Sequence, residues 1–214
     1  MYLIVTRTFP PELGGMQSLM WGLTNELSKN FMIKVFADYY ENHKEFDRSA
    51  NFSIERVGGI KFLRKIRKAQ LINEFLKENK VRGIIADHWK SLELIKSNQK
   101  KYCLIHGKEI NHSKGSLLNK RVNKVLNGVE KVIANSKFTQ NLAIDKGIDP
   151  KKIVVINPGV DSVKELNKKS LEKVESLLKV KNPRLITISR LDKRKNHEKI
   201  IMSLRNLKQK YPNI

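Results

Sequence analysis

Short apolar runs alternate along the chain with longer stretches in which apolar residues recur every three or four positions. This alternation is typical of a parallel sheet whose strands are joined by crossover helices. The sequence therefore predicts an α/β fold with a Rossmann-like parallel sheet and flanking helices. The runs predict strands at about 2–6, 32–37, 52–57, 83–86, 101–105, 131–134, 152–156 and 184–189. The stretches predict a helix beginning after Gly14-Gly15 and helices at about 61–79, 115–128, 137–147, 163–179 and 197–210.

A domain boundary is expected at Asn157-Pro-Gly-Val-Asp161, because proline and glycine directly after a strand interrupt the regular pattern. We predict an N-terminal Rossmann-like domain over residues 1–162. Residues 163–214 then form an incomplete domain, the first β-α unit of a second Rossmann-like fold. One strand with one or two helices cannot enclose a core by itself.

Composition is that of a globular protein: 40% of the 214 residues are hydrophobic and 30% are charged. No apolar run approaches the roughly 20 residues that span a bilayer. The first predicted strand follows Met1 directly, so we expect no signal peptide. The single cysteine, Cys103, can form neither an internal disulfide nor a zinc site. A cytoplasmic location and a buried, inert thiol are therefore expected.

Basic residues exceed acidic residues by 43 to 21, which gives a formal charge of +22. Such an excess attracts nucleic acid, acidic membranes or phosphorylated ligands. Compositional bias is the alternative, because 32 of the cations are lysines and 19 residues are asparagines. A nucleic-acid binder is only a third hypothesis, since aromatic residues are 7% of the chain and form no stacking cluster. We expect no nucleic-acid partner.

Three predicted loops could carry chemistry. Gly14 and Gly15 let a ligand approach the start of the first helix, where N–H groups attract anions. His106 ends a predicted strand, where it could hydrogen-bond a substrate hydroxyl. Arg190 and Lys195 belong to a basic loop before the last helix, and their side chains suit a diphosphate. The alternatives are a plain tight turn, a structural histidine and a solvated basic loop. No histidine or cysteine spacing indicates a metal site.

Four segments, in this order, carry a family resemblance: Leu3 to Gly15, Val132-Ile-Ala-Asn-Ser-Lys-Phe-Thr139, Val155 to Asp161, and Ile188-Ser-Arg-Leu-Asp-Lys-Arg-Lys-Asn196. Together they resemble family 4 glycosyltransferases of GT-B fold. The resemblance implies the N-terminal half of a GT-B fold followed by the start of the nucleotide-sugar-binding domain. It also implies a hexosyltransferase that retains anomeric configuration and needs no cofactor or metal beyond its nucleotide diphosphate sugar.

The resemblance also assigns residues. Gly14 and Gly15 would face the donor diphosphate, His106 would contact the transferred sugar as the catalytic residue, and Arg190 with Lys195 would hold the diphosphate. Asn196 stands where the family more usually has glycine. The first domain would hold a glycan or lipid-linked acceptor, as in cell envelope polysaccharide biosynthesis.

The start of the helix predicted at 61–79 is similar to surfaces with which such transferases dock on anionic lipid. This similarity implies a peripheral position on the inner face of the plasma membrane. An ordinary amphipathic helix with a solvated basic face is the alternative. The membrane or acceptor contacts would be Lys61, Arg64, Lys65, Arg67 and Lys68.

The chain is shorter than the members of this family, which are usually nearly twice as long. The chain would lack the Glu-x7-Glu element and the pocket for the nucleotide base. We therefore expect weak or no transfer by the 214-residue chain alone. A non-catalytic acceptor-binding or partner subunit is the alternative. Nothing in the sequence predicts the oligomeric state.

Overall fold

The computed structural model describes residues 1–160, 167–179 and 182–214. Within these ranges lie seven strands and eight α-helices. The strands are β1 (Tyr2–Val5), β2 (Ile33–Asp38), β3 (Ser53–Val57), β4 (Gly83–Ala86), β5 (Lys101–Ile105), β6 (Lys131–Ala134) and β7 (Ile153–Val155). The helices are α1 (Gly15–Ser28), α2 (His43–Ser49), α3 (Lys61–Glu78), α4 (Trp89–Leu92), α5 (Leu117–Asn127), α6 (Lys137–Asp145), α7 (Lys168–Leu178) and α8 (His197–Lys210).

All seven strands form one parallel sheet in the order β3-β2-β1-β4-β5-β6-β7. At its centre, Val5 of β1 is paired with Phe36 of β2 on one side and with Ala86 of β4 on the other. The strand order reverses beside β1, so the connections leaving β1 and β4 diverge at the carboxyl edge of the sheet. A crevice at such a reversal is the usual ligand site of open α/β sheets. The predicted Rossmann-like α/β fold is confirmed.

The core lies on both faces of the sheet, because successive side chains of a strand point to opposite faces. Leu3 and Val5 belong to the cluster that Ile72 of α3 and Trp89 of α4 also join. Ile4, between them, belongs to a second cluster with Met20 of α1. Strands covered on both faces read as continuous apolar runs, which explains why the sequence predicts them well.

The described residues contain two helices that the sequence does not predict. Neither α2 nor α4 was predicted: α2 has no buried residue and α4 is only four residues long, so neither shows a periodic apolar face. The other six correspond to predicted helices: α1 begins at Gly15, one residue before the predicted start, and the remaining five lie within the predicted ranges. Residues 163–166 of the predicted 163–179 helix fall outside the described residues. None of the described helices is both long and apolar enough to cross a bilayer.

The chain divides into two compact units, Met1–Val160 and Asp161–Ile214. The predicted strand at 184–189 is wrong, because these residues form no strand. A strand requires hydrogen bonds from a neighbouring strand, and the described residues of the second unit contain none. The apolar side chains of the run are instead exposed, from 59% for Leu185 to 86% for Ile188. The β part of the predicted β-α unit is therefore not formed, while its helices are.

Candidate functional site

The connection from β1 to α1 leaves a helix start uncovered at the carboxyl edge. Gly14 is the N-cap of α1 and provides no side-chain hydrogen bond, and both Gly14 and Gly15 are exposed. The N–H groups of the first helical turn have no intrahelical partners. Together with the helix dipole, they make this position favourable for an anion.

Arg56 of β3 braces this connection. Its guanidinium donates to the carbonyl oxygen of Pro10 and to both carboxylate oxygens of Asp47, at 2.7 and 3.1 Å. It also lies over the ring of Phe9, 5.6 Å from the centroid. The unpredicted helix α2 thus supplies Asp47, the counter-charge that orients this arginine. No periodic pattern in the sequence predicts this pairing.

Asp87 ties the end of β1 to the end of β4. The side chain is buried and accepts hydrogen bonds from Thr6 Oγ1 at 2.8 Å, from the backbone N–H of Arg7 at 3.0 Å and from Ser91 Oγ at 3.1 Å. A buried carboxylate with this many donors fixes the backbone around it. Its place directly after a buried strand is the sequence signal for it, because parallel strands end at one edge.

His88 follows Asp87 and caps α4, where its Nδ1 accepts from the N–H of Lys90 at 3.0 Å. Burial, followed by the charges of Arg7, Lys90, His106 and Lys65 in that order, lowers the pKa of His88 to about 3. The contribution of these charges, which is smaller than that of burial, indicates a positive potential at this edge.

His106 lies at the end of β5, where the sequence predicted it. The following turn passes through Gly107 at a φ of 106°. The Glu109 carboxylate accepts from the N–H groups of His106 and Gly107, so it shapes the turn rather than facing a substrate. The Nε2 atom of His106 is buried, and among the described residues it has no hydrogen-bond partner. An unsatisfied buried imidazole nitrogen is costly and suggests a position kept for a ligand.

A pocket of about 380 Å³ lies at the carboxyl ends of β1, β2 and β4; we call it the basic pocket. Six cationic and two acidic side chains line it. Its volume falls within the range of about 300–1,000 Å³ that small-molecule sites occupy. The lining residues are Arg7, Thr8, Glu12, Asp38, Tyr39, Tyr40, Lys61, Arg64, Lys65, Lys68, Ala69, Ile72, Lys90, Ser91 and Leu94.

Two carboxylates hold half of the cations in the basic pocket. Asp38 accepts from Lys68 Nζ at 2.6 Å and pairs with Arg64 Nε at 3.1 Å. Lys65 pairs with Glu93, which also binds Arg121 at 2.7 Å. Each carboxylate is therefore shared by two cations. The remaining three, Arg7, Lys61 and Lys90, form no ion pair within the described residues.

The predicted basic surface of α3 divides between two environments. Lys68 is only 4% exposed and donates to the Thr6 carbonyl oxygen at 2.6 Å, and burial lowers its pKa. It cannot reach a membrane, and with Lys61, Arg64 and Lys65 it lines the basic pocket. Arg67 is exposed outside the pocket.

Phe62, in the first turn of α3, does not pack in the core, because its side chain is 72% exposed. The inward face of α3 is formed by Lys68, Ala69 and Ile72.

The second unit contains the predicted basic loop. Asp192 caps a 3₁₀ turn over Lys193–Lys195 and is bound by Arg194 at 2.9 Å. That hydrogen bonding lowers the Asp192 pKa to about 2. Arg190 and Lys195 are exposed and have no ion pair among the described residues. Asn196 has a φ of 53°, the left-handed conformation that glycine adopts most readily and asparagine next.

The structure therefore brings His106, His88 and Arg7 into one electrostatic environment, with the Gly14–Gly15 turn at the same sheet edge. Arg190 and Lys195 belong to the other unit. No group of three or more His, Cys, Asp or Glu side chains that could hold a metal ion occurs in the ranges that the structure describes. The roles that the sequence predicts for these residues remain predictions.

A doubly covered parallel sheet with a cationic pocket at its carboxyl edge defines a Rossmann-like ligand-binding protein. The chain belongs to Glycosyltransferase Family 4, whose family model matches residues 13–164. The predicted family and the predicted GT-B half are thereby confirmed. A comparison with curated protein sequences finds no match.

Solved structures share the fold at low sequence identity. HepE from Anabaena, in complex with UDP and glucose, is similar with a TM-score of 0.64, 16% identity and coverage of 84% of this chain and 50% of that chain. The apo form of the lipopolysaccharide outer core galactosyltransferase WaaB is similar with a TM-score of 0.55 and 14% identity, and the match covers 77% of this chain and 47% of that chain. The UDP-GlcNAc 2-epimerase of Methanocaldococcus jannaschii is similar with a TM-score of 0.51 and 13% identity, and the match covers 74% of this chain and 46% of that chain. The chain thus spans about half the length of these structures, and the similarity concerns the fold alone.

Proposed function

We propose that the protein transfers a hexose from a nucleotide diphosphate sugar to a glycan or lipid-linked acceptor of the cell envelope, with retention of anomeric configuration and without a metal ion. Membership of Glycosyltransferase Family 4 supports sugar transfer. HepE was solved with UDP and glucose and with UDP-glucose, which favours a nucleotide sugar as donor. The epimerase shows that this fold alone does not fix the reaction.

The observation that carries the proposal is the buried Nε2 atom of His106, which has no partner in the described residues. In the proposed reaction this nitrogen hydrogen-bonds a hydroxyl of the transferred sugar and orients the anomeric carbon toward the acceptor. Its position after a strand of a parallel sheet is rigid, as a positioning group requires.

Charge on the departing diphosphate is the second requirement of the reaction. We assign this role to Arg190 and Lys195. Arg190 and Lys195 are exposed and unpaired within the described ranges, whereas Arg194 is held by Asp192. A guanidinium and an ammonium can stabilise a diphosphate leaving group without a metal ion.

The test uses the chain extended to the usual length of the family, and measures release of nucleoside diphosphate from UDP-, GDP- and ADP-glucose, coupled to incorporation of labelled hexose into a glycolipid extract. We expect one nucleotide to support transfer and His106→Ala to lower the rate about 10²-fold. His112→Ala, from the loop that follows, is the matched control. Transfer that persists in His106→Ala at the wild-type rate would refute the role of His106.

Donor binding is tested separately by calorimetry of the same extended protein with the active nucleotide sugar. Arg190→Ala and Lys195→Ala should each weaken binding about tenfold, as loss of a hydrogen bond to a charged group predicts. Lys199→Ala, an exposed cation of α8, should leave binding unchanged. Absence of binding by any nucleotide sugar contradicts the proposed function as a whole. NMR of the product linkage decides between retention and inversion.

We also propose that the start of α3 docks on an anionic membrane from the cytoplasmic side. Ile60, Phe62 and Leu63 are 76%, 72% and 58% exposed, and Lys61 and Arg67 lie among them. Apolar side chains flanked by cations are typical of interfacial helices. They could insert between lipids while the basic pocket stays above the headgroups.

Co-sedimentation with vesicles containing anionic lipid tests this docking. Phe62→Ser with Leu63→Ser should lower the bound fraction several-fold, because about 25 cal/mol is lost per Å² of apolar surface removed from the lipid. Met32→Ser is the matched control, since Met32 is 71% exposed and precedes β2 at the opposite edge of the sheet. Equal loss in both variants, or none in either, would exclude docking through α3.

A further inference from the structure

The basic pocket holds more positive charge than its structure needs. Asp38 and Glu93 each bind two cations, so neither can neutralise its partners fully. Arg7, Lys61 and Lys90 line the same cavity without a carboxylate partner among the described residues. Like charges held together in a pocket destabilise the folded state unless an anion offsets them.

Two further features of Lys90 are consistent with an excess of positive charge in the pocket. The pKa of Lys90 is lowered first by burial and then by the charges of Arg7, Arg121 and Lys65. Lys90 also lies over the ring of Trp89, 5.2 Å from its centroid. The cation is therefore held in place rather than left to extend into solvent.

The remaining lining suits a sugar or a short polar chain. Tyr39 and Tyr40 are exposed aromatic side chains with hydroxyl groups, and Thr8 adds another hydroxyl. Aromatic rings with hydroxyls bind carbohydrate faces and edges. The uncapped first turn of α3, which contributes Lys61 and Arg64 to the lining, adds backbone N–H groups favourable to an anion.

We infer that the basic pocket binds a phosphate group of the acceptor. This inference rests on the proposed function, because it names the chemistry of the acceptor in that reaction. A phosphate carries up to two charges and three free oxygens, so it can bind three unpaired cations at once. A carboxylate has one charge and two oxygens, so it would leave part of the positive charge of the pocket uncompensated. A phosphorylated sugar and an isoprenoid lipid phosphate both present this group.

Calorimetry on the full chain at low salt tests the inference. The probes are glucose 6-phosphate for the sugar source, geranyl phosphate for the lipid source, and glucose and glucuronate as neutral and carboxylate comparisons. We expect binding of one or both phosphates at least tenfold tighter than of glucuronate. The phosphate that binds more tightly identifies the source. Equal binding of glucuronate or glucose would overturn the inference.

Variants locate the binding. Lys61→Gln and Lys90→Gln should each weaken phosphate binding about tenfold, as loss of one charge-assisted hydrogen bond predicts. Lys61 is exposed, so its substitution leaves the fold intact. Lys77→Gln, an exposed cation at the far end of α3, is the matched control and should bind as the wild type does. Unchanged binding in both pocket variants would overturn the inference.

The two hypotheses can fail independently. The double substitution Arg190→Ala with Lys195→Ala should abolish nucleotide sugar binding and leave phosphate binding unchanged. Phosphate binding through the pocket without any sugar transfer would refute the proposed function alone. Sugar transfer to a neutral acceptor, with no phosphate bound in the pocket, would refute the inference alone.

Discussion

The imidazole of His88 lies among cations at the carboxyl end of β4, and burial followed by Arg7 lowers its pKa to about 3 from an ordinary 6.5. The neutral form is needed, because Nδ1 accepts the hydrogen bond that caps α4. Acidification should therefore protonate this group in the unfolded chain well before it does so in the folded protein. The contribution of His88 to the unfolding free energy is present above pH 6.5, the pKa in the unfolded chain. It decreases as the pH falls and stops decreasing below about pH 3, the pKa in the folded protein.

The size of the effect follows from the two pKa values. Between pH 7 and pH 5 the unfolded state gains about 0.7 proton at His88 and the folded state almost none, which costs about 2 kcal/mol of unfolding free energy. Urea unfolding followed by tryptophan fluorescence measures it, because Trp21 and Trp89 both lie in the first unit. Each pH value requires its own denaturation curve.

His88→Asn removes the titration while keeping a side-chain oxygen that can cap a helix. The loss of stability between pH 7 and pH 5 should therefore be smaller in His88→Asn than in the wild type by about 2 kcal/mol. His112→Asn is the matched control and should follow the wild type. Parallel curves for the wild type and His88→Asn would refute the reasoning.

Three further predictions concern stability and reactivity. Gly107→Ala should lower the unfolding free energy by about 1–3 kcal/mol in urea, because φ is 106° and alanine is strained there, whereas Gly15→Ala should cost less than 1 kcal/mol. Asp87→Ala should cost about 3 kcal/mol by the same measurement, since the buried Thr6 hydroxyl and the Arg7 N–H lose their acceptor; Asp87→Asn should cost less. Cys103, whose pKa burial raises, should react with a thiol reagent only after unfolding, and modification of the native protein would contradict its burial.

Most of the sheet could be predicted because its central strands, β1 and β4, are buried on both faces and consist mainly of apolar residues. The run at 153–155 became β7, which pairs with β6. The run at 184–189 is also rich in residues that favour strands, yet it formed no strand, because pairing depends on a neighbour that local sequence does not reveal. The sequence thus predicts the tendency to extend, and the topology decides whether a strand forms.

The site could be predicted in part for a related reason. His106 directly follows a predicted strand, and the Gly14–Gly15 turn lies in the connection after another, so their place at the carboxyl edge was expected. The basic pocket was not expected, because its contacts join residues that are far apart in the sequence. Lys68 binds Thr6 and Asp38, which lie 62 and 30 positions before it. Periodicity placed Lys68 on a basic surface, whereas its ion pair with Asp38 allows it to be buried.

All residues that line the basic pocket come from the first 94 positions of the chain, before β5 begins. They lie mainly on loops and on one face of α3, and only Ala69 and Ile72 among them are buried apolar residues. Exchange of the segments 7–12, 38–40, 61–72 and 90–94 between homologous proteins could therefore change which acceptor is recognised while the sheet stays the same. His106 lies beyond this region, so natural variation could diversify the acceptor independently of the histidine that would contact the donor sugar.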